Sequence, residues 1–273
     1  MVKKILKKIF HLFGLEIRRK KQPSFVLKQY DSLFSPNRTC INESYTQLKA
    51  KGFYPHLVVD VGVADGTPEL TNAFGDAYYI WVEPRVEFKG ILRQLCQQFK
   101  GEYHLCAAGK APGSVILNVH EDLSGSSVLC EEDGKSADGI KREIIIKELD
   151  TIVNGRFDKN ILLKIDVQGT ELDVLEGSKS ILIYTEVVVL EVSMFKFQQN
   201  APDFQEVVQY MKEIGFVVYD MAPGHNRPLD NALAQVDIIF VKESGQFRTS
   251  HNWATADQRQ LINSAKREIR KLG

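Results

Sequence analysis

The chain has 273 residues, enough for one full-sized domain with appendages, and its 44% hydrophobic and 26% charged content suits a globular protein that buries a complete core. Lys+Arg and Asp+Glu are equal at 35 each, yet residues 1–21 carry eight basic residues against the single acid Glu16, so a +7 tail sits on a −7 body. An acidic body excludes a general nucleic-acid binder. The four cysteines form no C-x-x-C pair, no run of about 18 apolar residues exists, and lysines interrupt the apolar positions near Met1; a cytoplasmic chain that does not span a membrane is expected.

In chain order, Val2, Ile5, Leu6, Ile9, Leu12 and Phe13 fall at helical spacing with lysines between them. This predicts a basic amphipathic helix. Either it packs on its own domain with a solvated basic face, or it lies on the anionic inner face of a membrane, where each basic residue adds about 1 kcal/mol. A helical connector follows, with Asn42 as the expected cap of a helix that runs to Lys51 and ends at Gly52.

From there short apolar runs alternate with helical segments. Strands are expected at 57–61, 77–82, 103–108, 161–165 and 186–192, with helices at 69–74, 86–99, 171–178 and 204–214. Two further strands, 115–120 and 140–149, flank a polar loop at 121–139. The final strands, 216–221 and 236–241, have no helix between them and read as a hairpin, their loop holding Pro223, Gly224, His225, Asn226 and Pro228. Strand–helix alternation calls for an α/β fold with a mostly parallel, Rossmann-like sheet and helices on both faces. A parallel sheet ending in an antiparallel edge hairpin is the outline of a class I methyltransferase. The expected organisation is a basic helix and connector over 1–52, the main domain over 53–245, and a helical tail over 246–273.

The first of these strands runs into Asp60-Val61-Gly62-Val63-Ala64-Asp65-Gly66-Thr67. Glycines in a tight turn let the backbone approach a ligand closely. A dinucleotide cradle needs Gly at 62, 64 and 67, but Ala64 and Thr67 stand at the last two, which disfavours an NAD oxidoreductase. The spacing suits a ligand without a pyrophosphate, such as S-adenosylmethionine. Glu83 ends the second strand, where an acid can accept both ribose hydroxyls. Cys106-Ala107-Ala108-Gly109 offers small residues to border an adenine ring. The stretch Lys164-Ile165-Asp166-Val167-Gln168-Gly169-Thr170-Glu171 then delivers acids to the carboxyl edge of the sheet, and Glu191 ends the next strand.

Asp60–Thr67, Glu83-Pro84, Ser124-Gly125-Ser126-Ser127 and above all the Asp166–Glu171 segment resemble the FkbM family of methyltransferases, over about residues 58–241. The resemblance implies a class I fold, S-adenosylmethionine as donor and O-methylation of a sugar or other small-molecule hydroxyl. It places Gly62, Asp65 and Gly66 around the methionine part of the donor, Glu83 on its ribose and Asp166 at the reacting centre. The expected donor set is therefore Asp60, Gly62, Ala64, Asp65, Gly66, Glu83 and Ala107, with Asp166 and Glu191 catalytic. Two acids at neighbouring strand ends can also hold Mg²⁺. The expected partner is a small-molecule acceptor, such as a glycan or glycolipid, with peripheral contact to anionic membrane through residues 1–21. The rival is a catalytically silent donor-binding or scaffold domain in a membrane-associated assembly.

Overall fold

The computed structural model describes residues 24–34, 37–132, 139–156 and 160–272. The amphipathic segment 1–21 and part of the polar loop lie outside them. The chain divides into two compact units, Arg38–Ser250 and a smaller one formed by the two chain ends. In the smaller unit the helix Phe25–Ser32 is capped by the Ser24 hydroxyl, which accepts from the Leu27 N–H at 3.2 Å. Its other described helix, Ala256–Leu272, buries Ile262 and Ala265.

The main unit is built on a seven-stranded sheet. Its strands are β1 (Leu57–Val61), β2 (Tyr78–Val82), β3 (Gly101–His104), β7 (Ile161–Ile165), β8 (Thr185–Ser193), β9 (Phe216–Asn226) and β10 (Leu233–Lys242). They run in the order β3-β2-β1-β7-β8-β10-β9, and β10 alone is reversed, antiparallel to both neighbours. This is the expected class I methyltransferase sheet with its antiparallel edge hairpin.

Because side chains alternate across a strand, buried runs here feed two cores. Val59, Val61, Leu163, Ile165, Val188 and Leu190 face one, covered by the helices Leu149–Val153, Glu171–Glu176, Lys179–Leu182 and Phe204–Glu213. Val58, Tyr79, Trp81, Leu162, Val187 and Val189 face the other, under the helices Ile41–Ala50, Pro68–Phe74 and Lys89–Gln98. The helix Ile41–Ala50 begins one residue before its expected cap: Asn42 lies inside it, and the Glu43 carboxylate instead takes the Thr39 N–H at 2.8 Å. Gly52, at φ +82°, ends it as expected.

The single strand expected at 103–108 is two. The chain leaves the main sheet after His104, and β4 (Ala107–Ala108) joins a separate three-stranded sheet with β5 (Gly113–Val119) and β6 (Ile140–Lys147), in the order β4-β6-β5. The edge hairpin is also longer than expected. β9 continues through Pro223 and Gly224 to Asn226 because bulges absorb the register shifts, and His225 pairs with Gln235 on the ladder rather than sitting in a loop. A Cβ at Gly224 would lie 1.5 Å from the Gln235 carbonyl oxygen, so only glycine fits that approach.

Candidate functional site

Open α/β sheets bind ligands beyond the carboxyl ends of their strands, and that edge is where the unusual backbone lies. Leaving β1, Gly62 adopts φ +81° and donates its N–H to the Val82 carbonyl at 2.9 Å. A Cβ there would stand 1.7 Å from the Asp166 carbonyl oxygen, so the exits of β1 and β7 touch only because this residue has no side chain. Ala64 (φ +48°) and Gly66 (φ +107°) complete the turn, and the Ala64 N–H donates to Glu83 Oε2 at 3.0 Å.

Beyond β7, Gln168 also sits in the left-handed region at φ +58°. Its carbonyl accepts from the Ser127 hydroxyl at 2.7 Å, which ties the Ser124–Ser127 loop to the sheet. Its side-chain amide bridges the two acids, donating to Asp166 Oδ1 at 3.0 Å and Glu191 Oε2 at 2.8 Å. Glu171 is structural. Its carboxylate accepts the Gly169 and Val167 N–H groups at 3.0 and 3.4 Å, which fixes the turn. Burial raises its pKa to about 7 against those hydrogen bonds.

Two cavities meet at this edge. The larger, about 350 Å³, is bordered by Gly62, Ala64, Asp65, Glu83, Ala107, Ala108, Asp166 and Glu191, with Val115, Leu117, Ile144 and Ile146 of the small sheet as an apolar wall. The second, about 320 Å³, shares Gly62, Ala64, Asp65, Asp166 and Glu191 and adds Gly66, Tyr45, Glu69, Lys164 and Asp237. Eight of the nine expected site residues thus line one cavity or both. Asp60 does not. Its carboxylate is fully buried behind the turn, Oδ2 accepting from the Thr67 hydroxyl at 2.8 Å and Oδ1 lacking a hydrogen-bond partner, so it braces the turn from below.

A row of ionisable groups lies on one face of the sheet, and Lys164, Glu191 and Asp237 from it line the second cavity. Asp60 on β1 is level with Lys164 on β7, and Glu191 on β8 with Asp237 on β10. Burial works against the Lys164 ammonium, but Asp166 at 3.2 Å, Asp60 at 4.0 Å and Asp237 together outweigh it and hold its pKa above the ordinary lysine value. Burial raises Asp237. At Glu191 burial, reinforced by the Asp166 charge, carries the pKa to about 8. Tyr45, 1% exposed, reaches the second cavity from the helix Ile41–Ala50, and burial with Asp237 and Asp60 nearby raises its phenol.

Sequence reasoning placed Gln168 with Asp166 and Glu171 at the carboxyl edge without assigning it a role, and passed over Lys164, Asp237, Tyr45 and Arg85 as site residues. Lys164 and Asp237 did carry a signal, each a lone charge inside an otherwise apolar strand run. Tyr45 and Arg85 owe their positions to contacts made only in the folded chain.

The expected ribose acid, Glu83, is fully buried with both oxygens engaged. Oε1 accepts the Arg85 backbone N–H at 2.8 Å and Nε at 2.6 Å, and Oε2 accepts Ala64 N–H at 3.0 Å and Arg85 Nη2 at 2.8 Å. The expected Mg²⁺ pair does not fit a cation. Asp166 and Glu191 are joined by an amide N–H, Gln235 Nε2 also donates to Glu191 Oε2 at 2.8 Å, and Lys164 holds Asp166. Those donors hold both Asp166 oxygens and one oxygen of Glu191, and no group of three or more His, Cys, Asp or Glu among the described residues is placed to hold a metal ion. The larger cavity does fit a nucleoside with a polar tail, its apolar wall and small residues opposite acids at the strand ends.

The sheet order defines a class I methyltransferase fold. The sequence matches the methyltransferase FkbM domain over residues 60–218, more than half of its length, and the chain belongs to that family. No curated protein matches it. Among solved structures it is similar to magnesium protoporphyrin IX methyltransferase from Synechocystis PCC 6803 with bound SAM, at 12% identity and a TM-score of 0.41, over 88% of this chain and 96% of that one. It is similar to an rRNA methylase from Streptococcus thermophilus at 14% identity and a TM-score of 0.41, over 76% and 99%. A precorrin-6y C5,15-methyltransferase from Geobacter metallireducens gives 11% identity and a TM-score of 0.40, over 77% and 94%. The acceptors in these names differ, and the likeness assigns none to this chain.

Proposed function

We propose that the chain transfers a methyl group from S-adenosylmethionine to a hydroxyl of a small-molecule acceptor such as a glycan or glycolipid. The observation that carries this reading is the meeting of the two cavities at Asp166 and Glu191. A nucleoside donor occupies the larger cavity, with its base against Ala107 and Ala108 and its amino-acid end at the Gly62–Gly66 turn. The acceptor enters from the second. S-adenosylmethionine supplies an activated methyl group for in-line displacement, so the protein's main contribution is alignment, worth roughly 7–11 kcal/mol.

Within the acid pair the roles differ. Glu191 retains a proton at neutral pH, with Oε2 already accepting from two amides and Oε1 left to carry it. Asp166, steadied by Lys164 and Gln168, is the group that accepts the hydroxyl proton or polarises the oxygen. No metal takes part in this reading. Residues 1–21, with their +7 charge, attach the chain peripherally to anionic membrane at the cytoplasmic face.

The experiment is transfer of label from methyl-labelled S-adenosylmethionine into an extract of glycans and glycolipids. Label stable to mild alkali, as in an ether, supports a hydroxyl acceptor. Label released as methanol marks an ester and replaces the hydroxyl reading with a carboxyl one.

A further inference from the structure

A carboxylate offers about four lone-pair sites. At Glu83 all four have donors, and two of these come from the fork of a single side chain, Arg85. The guanidinium also lies over the Phe88 ring at 4.6 Å and donates through Nη1 to the Leu123 carbonyl, in the turn that carries Ser124 and Ser126 into the same cavity. The backbone donors from Ala64 and Arg85 belong to the fold and stay. The fork donors belong to a side chain and can leave.

We propose that Arg85 is the specificity-determining latch of the donor site. It holds Glu83 until a ligand offers two hydroxyl donors in place of Nε and Nη2, and on leaving it releases the Leu123 turn. This rests on the donor reading above. A vicinal diol on a ribose supplies the two donors at the spacing of one carboxylate, whereas a deoxynucleoside supplies one and leaves Glu83 short of a partner in its buried setting. The latch therefore selects ribonucleoside donors and couples their binding to the loop beside the acceptor.

The test is calorimetric titration of the full chain with S-adenosylhomocysteine, using wild type, Arg85→Met and Arg85→Lys, with Glu83→Gln as control. Met keeps the packing on Phe88 without any donor; Lys keeps a charge but lacks the fork, and serves if the Met variant does not fold. The latch predicts about tenfold tighter binding by Arg85→Met and a smaller gain by Arg85→Lys. It also predicts that amide exchange at Leu123–Ser126 rises when S-adenosylhomocysteine binds wild type and is already high in both variants. Equal or weaker binding by the Arg85 variants, while Glu83→Gln loses affinity, overturns the latch and leaves the donor reading standing. No binding by wild type or either Arg85 variant overturns the donor reading itself.

Discussion

At Glu191 two side-chain amides donate to one carboxylate oxygen while burial and the Asp166 charge raise the pKa to about 8. An amide in its place reproduces the protonated acid, so wild type is expected to slow above about pH 8, and Glu191→Gln to keep turnover at neutral pH without that fall. The pH–rate profiles of the two proteins are the measurement. Asp166→Asn loses the charge that accepts the hydroxyl proton, and turnover is expected to drop by about 10²-fold or more while S-adenosylhomocysteine still binds. Stability carries a second signature. Both Glu171, at about 7, and Glu191, at about 8, lie above the ordinary 4.5 because burial favours their neutral forms. Between pH 4.5 and those values the folded chain holds protons that the unfolded chain has released, so the stabilisation they give is complete below about pH 4.5 and is lost as pH rises through 7 to 8. Urea midpoints measured across that window should fall with pH, and the Glu171→Gln, Glu191→Gln double variant should flatten the fall.

Among the elements, β1 and β7 are joined at their exits by the Gly62–Asp166 approach, and the Asp166 N–H returns to the Val61 carbonyl at 2.9 Å. Gly62→Ala places a methyl group on a backbone oxygen at a left-handed φ. The expected cost is about 1–3 kcal/mol in urea unfolding, with weakened donor binding in the fraction that remains folded. Elements that show themselves in a sequence are those whose burial has a period. β1, β7 and β8 were legible because both faces are covered, which makes their sequences near-continuous apolar runs. The acids at strand ends, Glu83, Asp166 and Glu191, were legible for the same reason. β4 was not, since two alanines have no period and their pairing with Ile146 and Lys147 exists only once the small sheet has formed. The extension of β9 past Pro223-Gly224 depends on bulges opposite β10, which turn residues alone do not announce. Tyr45 sits on a helix that reads as a connector until the core beneath it, with Leu48 and Phe74, is seen. Arg85's hold on Glu83 is a matter of rotamer, invisible to spacing.

Over the whole molecule, charge is segregated: +7 on residues 1–21 and −7 on the rest. No helix of the described residues is long and apolar enough to cross a membrane. The proposed attachment through the basic segment is electrostatic, and salt would screen it. Co-sedimentation with anionic vesicles is expected at low salt, to be lost at high salt or on deletion of residues 1–21, while donor binding persists; equal sedimentation with and without the segment would remove the membrane role. The central claim is that the carboxyl edge of this sheet is a donor site for S-adenosylmethionine. Calorimetric titration of the full chain with S-adenosylhomocysteine, with NAD in parallel, tests it most directly. The account predicts saturable one-to-one binding of S-adenosylhomocysteine, weakened in Glu83→Gln, and no heat from NAD. Binding of NAD, or S-adenosylhomocysteine binding untouched by Glu83→Gln, would contradict it.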